Sequence, residues 1–431
     1  MINLNRKIML GLSSFQFMAM ARRGLFYTFL ALYLRVKLGL SVTETTLLAS
    51  LTMIANSTSQ TLVWGKVSDK YQARTSLVVI GETIAALGYI AVYFLHIHLL
   101  NTSGSVAAAY SIIAGLSLLE FFWSMSNLGW SALISDLTTS KERGKLMSVI
   151  SSVGGAGRIL GISGSAIMYD WGGEAGGFKS GLLFFFASGI MLASAVLIYF
   201  STHTPERIHK NKRTGRAVFK QNVLLSKSHS SATFYWFLVS VFVVGLGAFS
   251  ILQVLVFYVA LDSPIGATSF EIAMIRNSAS IAIIIASLLA GPLADKVGRK
   301  NALGLSFALS VVTPLLYIFA QNAAQMIVIN SLRGVSSALM TVVGYLIASD
   351  LIPAERRGRL FGQYNAITYI SFGLAGTFLG GPIADYLIGT GSTQASAYVA
   401  TFQVASAVSL IGTIIYVLKV KSERNEKFIR S

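Results

Sequence analysis

Apolar stretches of about 20 residues, enough to cross a hydrocarbon core of about 30 Å, recur along the whole of this chain. Twelve spans are expected, near residues 9–35, 45–66, 75–97, 105–133, 146–168, 180–201, 232–259, 268–293, 300–320, 324–350, 360–388 and 396–418. The predicted fold class is an all-α membrane protein of two six-helix bundles. Only 12% of the 431 residues are charged, against about a quarter in soluble globular domains. Lipid is thus the main solvent. The first apolar stretch is long and runs straight into a second, so no cleavable signal peptide is expected.

A net charge of +17 would suit nucleic acid, but its placement points elsewhere. With both termini in the cytoplasm, most of the 34 lysines and arginines fall on the cytoplasmic side, and Arg35, Lys37 and Lys179 fall outside. That asymmetry follows the positive-inside rule. The expected location is the cell membrane, with anionic inner-leaflet lipid as partner of the basic face and no nucleic acid. There is no cysteine, which removes disulfides, thiolate nucleophiles and cysteine metal sites.

The polar stretch from Ser201 to Ser230 separates six spans from six. It divides the chain into residues 1–200, a basic cytoplasmic linker 201–230, and residues 231–431. Two loop patterns occur once per half. GPLADKVGRK (Gly291–Lys300) matches a worn GKVSDKYQAR (Gly65–Arg74). SDLIPAERRGRL (Ser349–Leu360) matches SDLTTSKERGKL (Ser135–Leu146), which lays Asp350 over Asp136 and Arg357 over Arg143. A third echo, SVTE at Ser41–Glu44 and TSFE at Thr268–Glu271, fits a capping box that satisfies the free N–H groups of a first helical turn.

Over its full length the chain resembles the major facilitator superfamily of secondary transporters. The family's loop signature is nearly complete as Gly291, Leu293, Ala294, Asp295, Gly298, Arg299 and Lys300. In the first half Gly65 and Asp69 survive, while Gln72 and Ala73 replace the second glycine and its following arginine. The resemblance implies a cytoplasmic gate built from Gly65, Asp69, Arg74, Asp136, Arg143, Gly291, Asp295, Arg299, Asp350 and Arg357. Chemically, a glycine at a helix end allows close backbone approach, and an aspartate can accept from a helix N-terminus or a loop arginine.

Charges inside the spans are expensive, at least about 2.5–3.5 kcal/mol at the bilayer centre. Arg22 and Arg23 lie near the middle of span one, Glu120 of span four and Arg158 of span five. Arg333 sits outward of centre in span ten, Arg276 two turns into span eight, and Glu82 in the inner half of span three. The resemblance implies that spans one, four, seven and ten line a central cavity. A purely structural reading pairs Glu120 with Arg158 or Arg23. A functional reading follows from the excess of arginines over acids, because arginine is the preferred fork for carboxylate or phosphate. Arg22, Arg23, Arg158, Gln253, Arg333 and Asn365 are then the substrate-binding candidates, and Glu120 carries the coupled proton. Asn56, Trp123, Asn127 and Tyr369 could complete the site. The glycine-rich runs in spans five and eleven are expected to be seams where helices of the two halves pack closely.

An enzyme is not expected. His203, His209 and His229 fall in the charged linker, and no nucleophile–base pair, metal cluster or cofactor motif is visible. His96 and His98, two residues apart, do not share a helical face and are expected to be interfacial. The expectation is a monomeric carrier of a small organic anion, working by alternating access and coupled to protons. The alternative is a multidrug–proton antiporter, although the Gly-Pro-x-x-Gly-Gly pattern of such proteins lacks its proline in span five. The ARRGLFYTFLALYL segment faintly resembles proton-coupled peptide symporters, whose paired glutamates are absent here. A non-transporting receptor on the same scaffold would carry a sizeable soluble domain.

Overall fold

The computed structural model describes residues 6–71, 73–137, 140–202, 229–352 and 357–420, and every regular element among them is a helix. The chain divides into two compact units, residues 1–210 with 267–277, and residues 211–266 with 278–431.

The first unit holds α1 (Arg6–Leu32), α2 (Val42–Ser59), α3 (Gly65–Tyr71), α4 (Arg74–Thr102), α5 (Ser105–Leu137), α6 (Ser140–Tyr169), the single turn α7 (Gly176–Lys179) and α8 (Leu182–Thr202). The second holds α9 (His229–Ser250), α10 (Val254–Ala260), most of α11 (Ser269–Val297), α12 (Arg299–Phe319), α13 (Ala323–Leu351), α14 (Arg357–Ala375), α15 (Gly381–Gly389) and α16 (Gln394–Lys419). Among the described residues, nine helices are long and apolar enough to cross a membrane. Expected spans one, two and five are helical as well but carry more polar groups. Arg22 and Arg23 interrupt α1, Asn56 to Ser59 end α2, and Arg158 lies among the glycines and serines of α6.

The sequence duplication returns as a duplicated packing pattern. In the first unit α1 packs on α6 and α8, and α4 packs on α5 and α8. In the second, α9 packs on α14 and α16, and α12 packs on α13 and α16. Both capping boxes form. Glu44 N–H donates to Ser41 Oγ at 3.1 Å and Ser41 N–H to Glu44 Oε2 at 2.7 Å. Thr268 N–H donates to Glu271 Oε2 at 2.8 Å, and Glu271 N–H to Thr268 Oγ1 at 3.3 Å.

Glycines of these runs join helices within one unit, and Ser163 of the span-five run also accepts from Asn277 Nδ2 of α11 at 2.9 Å. A Cβ on Gly157 would stand 2.3 Å from the Phe17 carbonyl oxygen, and one on Gly161 would stand 2.0 Å from that of Ala21. From the other side, a Cβ on Gly24 would meet the Arg158 carbonyl oxygen at 2.5 Å. Here α1 and α6 touch backbone to backbone. Likewise Gly380, at the end of a π-helical turn (Gly376–Gly380), packs on the Ser250 carbonyl at the end of α9. Side-chain-free contact of this kind substitutes for the hydrophobic driving force that lipid does not supply.

His96 corrects the expectation of an interfacial residue. It is fully buried, with Nε2 at 2.9 Å from Tyr33 Oη and Nδ1 at 3.1 Å from the Ala108 carbonyl oxygen. It sits in an aromatic cluster with Tyr33, Phe178 and Phe184, whereas His98 is exposed. Nearby, Lys37 pairs with Glu174 and holds that exposed carboxyl below its usual range.

Candidate functional site

The polar centre of the first unit is built on four helices, α1, α2, α4 and α5. Arg22 of α1 is 2% exposed. Its Nη1 donates to Tyr89 Oη of α4 at 2.7 Å, and that hydroxyl lies 3.0 Å from Tyr27 Oη. Its Nε and Nη2 are buried and meet no acceptor. The guanidinium lies 5.3 Å from the centre of the Trp123 ring of α5, and Arg23 lies 4.3 Å from the same ring. Successive helical residues point about 100° apart, so one indole serves both only because it stands between them. Cation–π attraction of this kind is worth about 2 kcal/mol when desolvated.

Trp123 is held in turn by Glu82 of α4, which is also 2% exposed. The indole Nε1 donates to Glu82 Oε1 at 3.0 Å, and Ser126 Oγ donates to the same oxygen at 2.7 Å. Glu120, one turn before Trp123 on α5, accepts from Asn56 Nδ2 at 2.9 Å, and Gln60 Nε2 donates to Asn56 Oδ1 at 2.7 Å. Glu82 and Glu120 both act electrostatically on Arg22. Among the described residues, however, no ion pair joins Arg22 or Arg23 to a carboxylate. The expected structural pair of Glu120 with Arg23 is therefore not formed.

The structure thus gathers Arg22, Arg23, Glu120, Asn56 and Trp123 on α1, α2 and α5. Arg158 is exposed on α6. In the second unit Arg333 lines a cavity beside α9 and α12. Gln253 sits in the break between α9 and α10, with Oε1 buried and without a hydrogen bond. Asn365 and Tyr369 are exposed on α14. Sequence reasoning missed Tyr27 and Tyr89, and named Glu82 without a role. The available signal was spacing, because Glu82 and Tyr89 are seven apart and so share a helical face.

The expected gate residues divide. In the second unit Arg299 forms an ion pair with Asp350, which ties the start of α12 to the end of α13. Asp295 is exposed, and Gly298 takes a φ of 88°, the left-handed turn that glycine accepts without strain. Gly291, expected to admit a close backbone, has nothing within 4 Å of a built Cβ. It is the turn at Gly298 that requires a glycine in this hairpin. In the first unit Arg74 donates to the carbonyl and hydroxyl of Ser68, and a Cβ on Gly65 would stand 2.9 Å from the carbonyl oxygen of Gln60. The side chains of Asp69, Asp136, Arg143 and Arg357, and residues 203–228 of the linker, lie outside the described residues.

Comparison with known proteins places this architecture. The family model described as Major Facilitator Superfamily matches residues 12–266 and 255–431. Multidrug resistance protein 2 of Bacillus subtilis is 26% identical over 337 residues, 74% of this chain and 75% of that protein. An uncharacterized MFS-type transporter of Methanocaldococcus jannaschii is 30% identical over 121 residues, 28% of this chain and only 31% of its own length. Among solved structures, a nucleoside transporter superposes with a TM-score of 0.72 at 15% identity, over 96% of this chain and 100% of that one. A bacterial homologue of the iron transporter ferroportin gives 0.69 at 14% identity, over 96% and 99%. At such identities the structural likeness carries the fold alone.

Proposed function

This chain belongs to the major facilitator superfamily, and from that premise we propose that it is a secondary active transporter of a small organic anion, coupled to protons. In this reading twelve spans cross the cell membrane, both termini are cytoplasmic, and residues 1–200 rock against 231–431 around a midplane site. Alternating access around a midplane site is the working principle of such repeats.

The observation that carries the anion is Arg22. A guanidinium buried to 2% exposure, with Nε and Nη2 lacking acceptors, presents one edge as an empty fork. A carboxylate or phosphate oxyanion matches that fork with two parallel charge-assisted hydrogen bonds. Trp123 and Arg23 are then positioned to hold the body of the solute. The direct test is a thermal-shift screen of the purified protein across carboxylates, phosphorylated metabolites, sugars and cationic drugs. Stabilisation confined to cationic drugs would favour the multidrug antiporter, the reading that the likeness to the Bacillus subtilis protein favours.

Glu120 is the proposed proton carrier. Its carboxylate is already held by Asn56 rather than by an arginine, so protonation need not break an ion pair. A substrate anion drawing on Arg22 and Arg23 removes positive potential from Glu120, so substrate and proton bind together, the linkage that symport requires. In proteoliposomes, Glu120→Gln is expected to lose uphill uptake driven by a pH difference while still exchanging substrate. A variant that still accumulates substrate against its gradient would remove Glu120 from this role.

A further inference from the structure

The repeated packing pattern makes α9, α12 and α13 the counterparts of α1, α4 and α5. In the first unit this three-helix cluster surrounds Arg22 and supplies its own carboxylate, Glu82. The second unit also centres an arginine there, Arg333 of α13, but the cavity it lines contains no acidic side chain. Among the described residues Arg333 forms no ion pair.

The cation is nevertheless oriented. Arg333 Nε donates to Asn330 Oδ1 at 2.8 Å, and Tyr317 Oη donates to the same oxygen at 2.8 Å. Asn330 and Tyr317 are both buried, and the Tyr317 hydroxyl also hydrogen-bonds the guanidinium. With Nε committed to Asn330 and the Tyr317 hydroxyl also on the guanidinium, the remaining terminal N–H groups are the donors toward the cavity that Arg333 lines. Ser337, one turn further along α13, lines the same space, and its hydroxyl is not engaged by any described residue.

Ala248, Phe249 and Ile251 also line it, at the point where a hydrogen-bonded turn of residues 251–253 joins α9 to α10. The cavity measures about 20 Å³, close to the room one water needs, about 10–15 Å³. It is too small for an organic solute and of the right order for one small ion.

We propose that this cavity binds a single small monovalent anion, of the size and charge of chloride, on the free edge of Arg333 with Ser337 as a second donor. The anion places negative charge beside Arg333, as Glu82, bonded to Trp123 and Ser126, does near Arg22. The lining of the Arg333 cavity supplies none. The site lies wholly within one unit and is independent of what the carrier moves.

The test uses the full chain purified in detergent, with gluconate as the bulk anion at constant ionic strength. Radiolabelled chloride is expected to bind saturably, at about one ion per chain, and to be displaced by bromide. Arg333→Gln should weaken this binding by at least about tenfold, the loss of a charge-assisted bond, while Arg333→Lys keeps part of it. Arg22→Gln should leave chloride affinity unchanged even where it abolishes organic-anion binding, which separates this site from the proposed cargo site. Absence of saturable chloride binding, equal affinity in Arg333→Gln, or loss of chloride binding in Arg22→Gln would each overturn the proposal. Should Arg333→Gln not be recovered folded, Ser337→Ala decides, with a weakened affinity supporting the site and an unchanged one overturning it.

Discussion

Replacing Gly161 by Val is expected to destabilise the first unit by about 3 kcal/mol or more, the upper end of what overpacking costs. A Cβ there would stand 2.0 Å from the Ala21 carbonyl oxygen. Because the obstacle is backbone, no rotamer change relieves the overlap, and α1 would have to move off α6. The reach of that movement is functional as well, since Ala21 adjoins Arg22. A thermal melt followed by size-exclusion chromatography in detergent should fall by about 10 °C. Gly164, three residues on along the same helix, has nothing within 4 Å of a built Cβ, so Gly164→Val is the matched control. Equal melting of the two variants would show that the α1–α6 contact is not as close as described.

Arg22→Gln is the second substitution with a large expected effect. If the vacant edge of Arg22 holds the substrate oxyanion, losing it removes charge-assisted hydrogen bonds worth about 1.5–3 kcal/mol, about a ten- to hundredfold weakening of binding. Lysine should not restore it, because a point charge cannot offer the planar fork. A role confined to packing against Trp123 predicts a different outcome, lower melting temperature with unchanged affinity. The multidrug reading predicts that cationic drugs bind the Gln variant as well as or better than the original. Equilibrium binding and melting measured on the same preparation separate these three results.

How far the sequence disclosed this arrangement depends on the residue. Span-length apolar runs and the twin capping boxes were legible because helix periodicity and cap chemistry are local. Arg22, Arg23 and Glu120 were legible as a group because each is costly at its depth. Their actual neighbours were not, because which helix stands beside which is set by long-range packing. Glu120 meets Asn56 of α2 instead of an arginine, and Trp123 stands between two arginines while bonding Glu82. The glycine runs were recognised as seams, yet a small-residue stripe marks close approach without identifying the helix that approaches. His96 misled for a related reason, since a histidine near a span end is apolar enough to be covered by Tyr33 and Phe184 once the aromatic cluster forms.

The two arginines of α1 also bear on how the chain is made. On the scale measured for helices entering the bilayer, each arginine at the centre opposes insertion by about 2.5–3.5 kcal/mol, and α1 is not among the nine strongly apolar helices. The groups that accommodate its charge, Tyr89 and Trp123, belong to helices synthesised later. During synthesis α1 thus lacks these partners until α4 and α5 follow. Settling of α1 is then a collective event, completed when the α4–α5 hairpin arrives.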